Sequence, residues 1–421
     1  MTRGLLENFL NSNFEWKDQS AILDAVKSLQ AKSQYSEPKS ILPVDEVELR
    51  RDYASRIENR LTTSLPDFEL TSVHLAAIMI TPLINLERGG YLSPQNLSVH
   101  ELAARLRLVS NLVKRYLVRK FEKEIGPATN QKRPQLHTAS SRKSRYPGLT
   151  QKELCRARDQ YRCLFLQTAE GDVAHIIPHS WNKNQGNVDM TKLVIPTAQV
   201  FMDHQLFSKY QMIFADERSS LSTDKIWNML YLNKQHHWYF DHGSIAFKCL
   251  GIERHNDTDD KADVLIQIHW LNRTKINPKK IVTCLGDAND LDKMIDGLRQ
   301  FEDQGFPARI EPDEGLYTTV RANNYVPVIS GHYVRVTMSS EDAEKCQAML
   351  QLSWGLSVVA AMNGSAESPD LLPDHDDWEE IEQQASVENW VQDQAQRYEQ
   401  LREVDLLSGA ADLGTPETLQ S

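Results

Sequence analysis

The sequence predicts an α+β fold: a helical N-terminal region over 1–126, a basic polar linker over 127–149, a mixed region over 150–364 and an acidic, partly disordered tail over 365–421. Three observations carry this division. Apolar residues recur at helical spacing through the first 126 positions. After residue 150 the apolar runs shorten to strand length and are bounded by turn residues. Charge is also unevenly divided: the net charge is −11, yet 365–421 alone holds 15 Asp and Glu against 2 Arg, so the remainder is slightly basic.

In the first region Leu5, Leu6, Phe9 and Leu10 share a helical face, as do Ile22, Val26 and Leu29 behind a candidate N-cap, Asp18. Val47 to Leu61 is charged and amphipathic, Val73 to Leu86 is apolar, and Gly89 and Gly90 supply a turn. From Ser98 the series Leu102, Leu106, Val109, Leu112, Val113, Tyr116 and Leu117 marks a long amphipathic helix. In the mixed region, strand-like runs fall at Val173 to Ile177, Ser244 to Leu250, Val264 to Trp270 and Tyr333 to Met338, and Ala343 to Met362 reads as a helix. Val200, Phe201, Phe207, Tyr210 and Phe214 predict a further helix, inserted between two histidine-bearing segments. Asp376 to Glu403 reads as a polar helix suited to a protein partner.

Composition excludes several classes. A hydrophobic content of 40% with 25% charged residues is that of a globular protein. No apolar run approaches the roughly 20 residues of a membrane span. Asn11, Asn13 and Glu15 interrupt the start too early for a signal-peptide core, so an intracellular location, nuclear or cytoplasmic, is expected. Cys155, Cys163, Cys249, Cys284 and Cys346 are scattered and contain no C-x-x-C pair, which argues against a disulfide framework or a structural zinc site. The segment 101–163 holds 16 Lys and Arg against 5 acidic residues, the footprint of a phosphate-binding surface. Lys114, Arg115, Arg119, Lys120, Arg158 and Arg162 are its candidate nucleic-acid contacts, although solvated helix faces and linkers share this composition.

The residues suited to chemistry lie close together. Arg158, Asp159, Arg162 and Cys163 are followed by Asp172-Val-Ala-His175-Ile-Ile-Pro178-His179-Ser180. Beyond the insertion, Trp227 and Asn228 lead through Asn233 to His236, His237, Trp238, Phe240 and Asp241, with Asn228 nine residues before His237.

In order and spacing these segments resemble the HNH nuclease superfamily, and most closely its fungal HNH-domain proteins, over roughly 155–367. Leu265 to Leu271, Gln351 to Trp354 and Ala361 to Glu367 resemble the same group. The resemblance implies a ββα-metal core, a β-hairpin and helix around one divalent cation, carrying a helical insertion and flanking short strands. It also implies hydrolysis of phosphodiester bonds in nucleic acid, DNA before RNA. By resemblance His175 is the general base, an imidazole able to take a proton from water near neutral pH. Asn228 would tie the loop and orient that base, and His237 would be a metal ligand. His236 is its alternative, because neighbours on a helix point about 100° apart.

One position departs from the pattern. Many HNH nucleases place an acidic ligand directly before the base, where this chain has Ala174. Mg²⁺, the first expectation, needs oxygen ligands. Asp172 reaches the face of His175 only through a bulge, since residues three apart on a strand point oppositely. Asp241 lies one helical turn beyond His237 and is the other candidate. His179 as a ligand would tilt the preference toward Mn²⁺, Zn²⁺ or Ni²⁺. A nuclease is therefore weighed against an HNH fold that has kept binding and lost catalysis, and against a purely structural protein.

Overall fold

The structure, a computed structural model, describes residues 35–36, 41, 44–118, 150–214, 222–256, 259–271, 276–282, 292, 294, 318–323, 325–366 and 368–372. The expected helices before residue 30, the linker, Arg119, Lys120 and the acidic tail helix lie outside them.

Three N-terminal helices come first: α1 (Val47–Ser64), α2 (Ser72–Ile80) and α3 (Val99–Leu117). The apolar stretch expected to run to Leu86 stops as a helix at Ile80, because Pro82 lacks the amide a helix needs, and Leu83–Asn85 forms a single 3₁₀ turn instead. A capping box starts α3: the Ser98 hydroxyl accepts from the Glu101 amide at 3.1 Å, and the Glu101 carboxylate accepts from the Ser98 amide at 3.3 Å.

The mixed region opens with α4 (Gln151–Arg158) and β1 (Asp172–His175). The insertion supplies α5 (Gln185–Val194) and α6 (His204–Phe214) before β2 (Met229–Leu232) and α7 (Lys234–Asp241). A three-stranded antiparallel sheet follows in the order β3 (Ile245–Asn256), β4 (Asp259–Trp270), β5 (Tyr333–Ser339). Alternation along β5 turns Val334, Val336 and Met338 inward and leaves Arg335 and Thr337 outside. The Ser339 hydroxyl then caps α8 (Ser340–Met362) by accepting from the Asp342 amide.

The long helix α8 organises the molecule. It packs on the sheet and touches α2, α3 and α6, so it is apolar on nearly every side. A Cβ on Gly355 would sit 2.7 Å from the Phe201 Cβ, so only glycine allows the 195–200 turn to lie so close. The buried residues of α6, Phe207, Tyr210 and Phe214, belong to the core where this helix meets that turn and α8. One hydrophobic core runs from Ile41 to Leu372 and joins the N-terminal helices to the strands.

Candidate active site

β1 and β2 pair antiparallel with an unbroken register, Asp172 opposite Leu232 and His175 opposite Met229. Gly171 permits the close approach at one end, where a Cβ would lie 2.3 Å from the Leu232 carbonyl oxygen. After β2 the Asn233 side chain accepts from the Gln235 amide and starts α7 directly. Strand, strand and helix thus follow in the order the sequence implied, consistent with a ββα core. Alternation puts Ala174 with Leu230 and Leu232 in the main core, while Val173 joins Cys155, Met229 and Tyr231 in a small cluster under α4.

His175 closes β1. Its side chain is 10% exposed, and its Nε2 lies 2.9 Å from Oδ1 of Asp224. The His179 ring sits 4.9 Å away, centroid to centroid. Burial lowers the His175 pKa to about 4; the hydrogen bond to Asp224 opposes that shift and the His179 charge adds to it. The ring is therefore neutral at physiological pH, with a lone pair to offer a proton but a lowered affinity for it.

Asn228 is fully buried in the neck of the loop between the strands. Its Oδ1 accepts from the Ile177 amide at 2.9 Å, and its Nδ2 donates to the carbonyls of Ile177 and Thr223, each at 2.8 Å. Its backbone carbonyl accepts from the Ile176 amide. One side chain thus ties the segment after His175 to the segment before β2.

On α7 the two histidines part. His236 points inward, fully buried between Phe165 and Trp270, with Nε2 2.8 Å from the Thr319 hydroxyl. His237 faces outward, with Nε2 3.4 Å from Asp241 Oδ2 one turn on. Of the pair, His237 is the one able to meet a ligand from solvent.

The carboxylates do not assemble as the resemblance implied. β1 has no bulge, so Asp172 stays exposed on the face opposite His175, about 10 Å along the strand. Ala174 is turned into the core and leaves no acidic group there. Nε2 of His175 is engaged by Asp224. Among the described residues, no group of three or more His, Cys, Asp or Glu side chains is arranged to hold a metal ion. The donors among the described residues therefore do not fit a cation.

The basic residues separate by burial. Arg158, with an 8% exposed side chain, grips Asp159 through Nε at 2.6 Å and also donates to the Ile226 and Met229 carbonyls. Arg115 lies between α3 and α5, donating to Thr191 and to the Asn187 carbonyl, and burial lowers its pKa to about 10. Both brace the interior, which corrects their expected role on a phosphate surface. Lys114 donates to the Leu372 carbonyl, and Arg162 is exposed. Cys155, Cys163, Cys249 and Cys346 are free, and burial pushes the thiol pKa up to about 12 at Cys155 and about 11 at Cys249.

Asp224 is the partner that sequence reasoning missed. It stands four residues before Asn228 in a polar stretch with no pattern of its own. Only the closed neck of the loop brings it to His175, 49 positions away.

A hairpin followed by a helix, with His175, Asn228 and His237 disposed along it, is the arrangement that the HNH resemblance implied for this segment. The matching family description is HNH endonuclease: residues 155–248 fit its model, and the chain carries an HNH endonuclease domain over that span. No curated protein and no solved structure matches the chain, so the fungal affinity suggested by the sequence has no support. HNH enzymes generally use a divalent metal. Among the described residues, no helix is long and apolar enough to cross a membrane.

The buried histidines make stability depend on pH. Burial lowers the pKa of His175 and His332 to about 4 and of His236 and His269 to about 3, from an ordinary 6.5. Unfolding restores their usual proton affinity, so between about 3 and 6.5 the unfolded chain binds more protons and stability rises with pH. The Tm should fall steadily as pH is lowered from 6.5 to 4. A Tm flat across that window in calorimetry would refute the assignment.

Proposed function

We propose that the HNH domain hydrolyses phosphodiester bonds in nucleic acid, with DNA the preferred substrate and His175 the base that activates water. The observation that carries this reading is His175 itself. It is a neutral imidazole at a strand end, beside a loop neck locked by Asn228, inside a segment matching the HNH endonuclease family. A positioned base of this kind contributes about 10²–10⁴-fold to rate. Arg162, exposed at the edge of the domain, is the proposed phosphate contact. An intracellular site of action, nuclear or cytoplasmic, belongs with this reading.

The test is nicking of supercoiled plasmid by the full chain with Mg²⁺, Mn²⁺ or EDTA, beside His175→Ala. Wild type is expected to nick, and His175→Ala to be slower by at least about 100-fold. Equal rates for the two proteins, or no nicking in any condition, would overturn the reading. A second reading is an HNH fold that binds nucleic acid without cutting it. Ala174, and the lack of a converging donor set among the described residues, favour it. Its signature is plasmid retardation with no nicking.

A further inference from the structure

We infer that Asp224 is the positioning residue for His175: its carboxylate holds the imidazole as the Nε2–H tautomer, leaving Nδ1 as the nitrogen that takes the proton from water. This rests on the reading of His175 as the base, and it adds both the partner and the reacting atom.

The geometry argues it directly. Nε2 of His175 and Oδ1 of Asp224 are 2.9 Å apart, and a carboxylate oxygen accepts, so the proton of that bond sits on Nε2. A neutral imidazole carries one N–H, so its lone pair is then on Nδ1. The partners lie on separate segments, and Asn228 holds both. Its Nδ2 donates to the carbonyl of Thr223, just before Asp224, and its backbone amide donates to that of Lys225, just after. Its Oδ1 accepts from Ile177, two residues past His175. The Thr223 hydroxyl also donates to the His179 carbonyl at 3.5 Å, adding a second tie across the neck. The Asp224 side chain is 31% exposed against 10% for His175, so the carboxylate lies at the rim and the ring inside it.

The step this arrangement serves is balanced as follows. A water O–H bond breaks and its proton passes to Nδ1 while the water oxygen forms a bond to phosphorus. The ester P–O bond breaks, its electron pair stays on the departing oxygen, and that oxygen takes a proton from solvent. The positive charge gained by the ring then faces the Asp224 carboxylate, which stabilises it where burial alone would oppose it.

The experiment uses the full chain, with ¹⁵N-labelled histidine and EDTA present, and reads the imidazole tautomer from long-range proton–nitrogen spectra at pH 7. The His175 signals are those lost in His175→Gln. Wild type is expected to show Nε2–H, and Asp224→Ala a mixture or the Nδ1–H form, with an unchanged thermal midpoint. In the plasmid assay Asp224→Ala should be slower by about 10–100-fold. If Asp224→Ala does not fold, Asp224→Asn, a neutral and weaker acceptor, is expected to lower the Nε2–H population by a smaller amount. Retention of pure Nε2–H without the carboxylate would overturn the inference. A tautomer that shifts in a protein unable to nick DNA would sink the nuclease reading while leaving the pairing intact. A nicking enzyme whose tautomer ignores Asp224 would do the reverse.

Discussion

Asp159→Ala is expected to destabilise the protein by about 3–5 kcal/mol, the usual consequence of stranding one member of a buried ion pair. The Asp159 side chain is 1% exposed and that of Arg158 8%. Asp159 takes Arg158 Nε on Oδ1 at 2.6 Å and Nη2 on Oδ2 at 2.8 Å; Oδ2 also accepts from the Tyr231 amide at 2.9 Å. The pair therefore fastens the end of α4 to β2, and removing the carboxylate leaves a buried guanidinium without its counter-ion and the Tyr231 amide without its acceptor. The double variant Arg158→Met, Asp159→Leu should be less damaging than Asp159→Ala alone, because no buried charge remains. Urea denaturation decides it: a single-variant loss below about 1 kcal/mol, or a double variant worse than the single, contradicts the account.

Asn228→Ala should cost more than about 3 kcal/mol and abolish whatever the site does. The side chain satisfies three backbone groups in a neck fully closed to solvent, and each orphaned group costs about 1–3 kcal/mol. Few substitutions of a single polar residue reach that size. Hydrogen exchange gives the most direct reading. The Ile177 amide is protected by the Asn228 oxygen in wild type and should exchange much faster in the variant. An Ile177 amide still protected in Asn228→Ala would show that the clamp is not what holds the loop.

How much of this was legible in the sequence depended on the kind of interaction. The hairpin and helix could be expected because the apolar run Val173 to Ile177 is a local signal and the order and spacing of the histidine segments carry the resemblance. The opposite faces of Asp172 and His175 followed from strand parity, and the unbroken register bears that out. His236 and His237 were separable only in part, since helical geometry divides neighbours without saying which side the core lies on. Arg115 and Arg158 were misread for a different reason. A charge count carries no information about burial, and a guanidinium that satisfies several carbonyls looks, in sequence, like one that meets phosphate. Asp224 could not be found at all, because its partnership exists only after an insertion of two helices has folded back on itself.

The continuous path of α8 through the interior bears on how this domain could travel between proteins. The segment that matches the HNH family ends at residue 248, yet its inward residues, among them Ala174, Leu230 and Phe240, belong to the same core as Leu350, Leu356 and Val359 of a helix that begins nearly a hundred positions later. Cut out at its family boundaries, the domain would present its apolar side to water and aggregate. It is a keystone shaped to one arch, not a portable cassette. A minimal fragment intended for expression, crystallisation or grafting would have to retain the helix through Met362 and the glycine that lets Phe201 approach it.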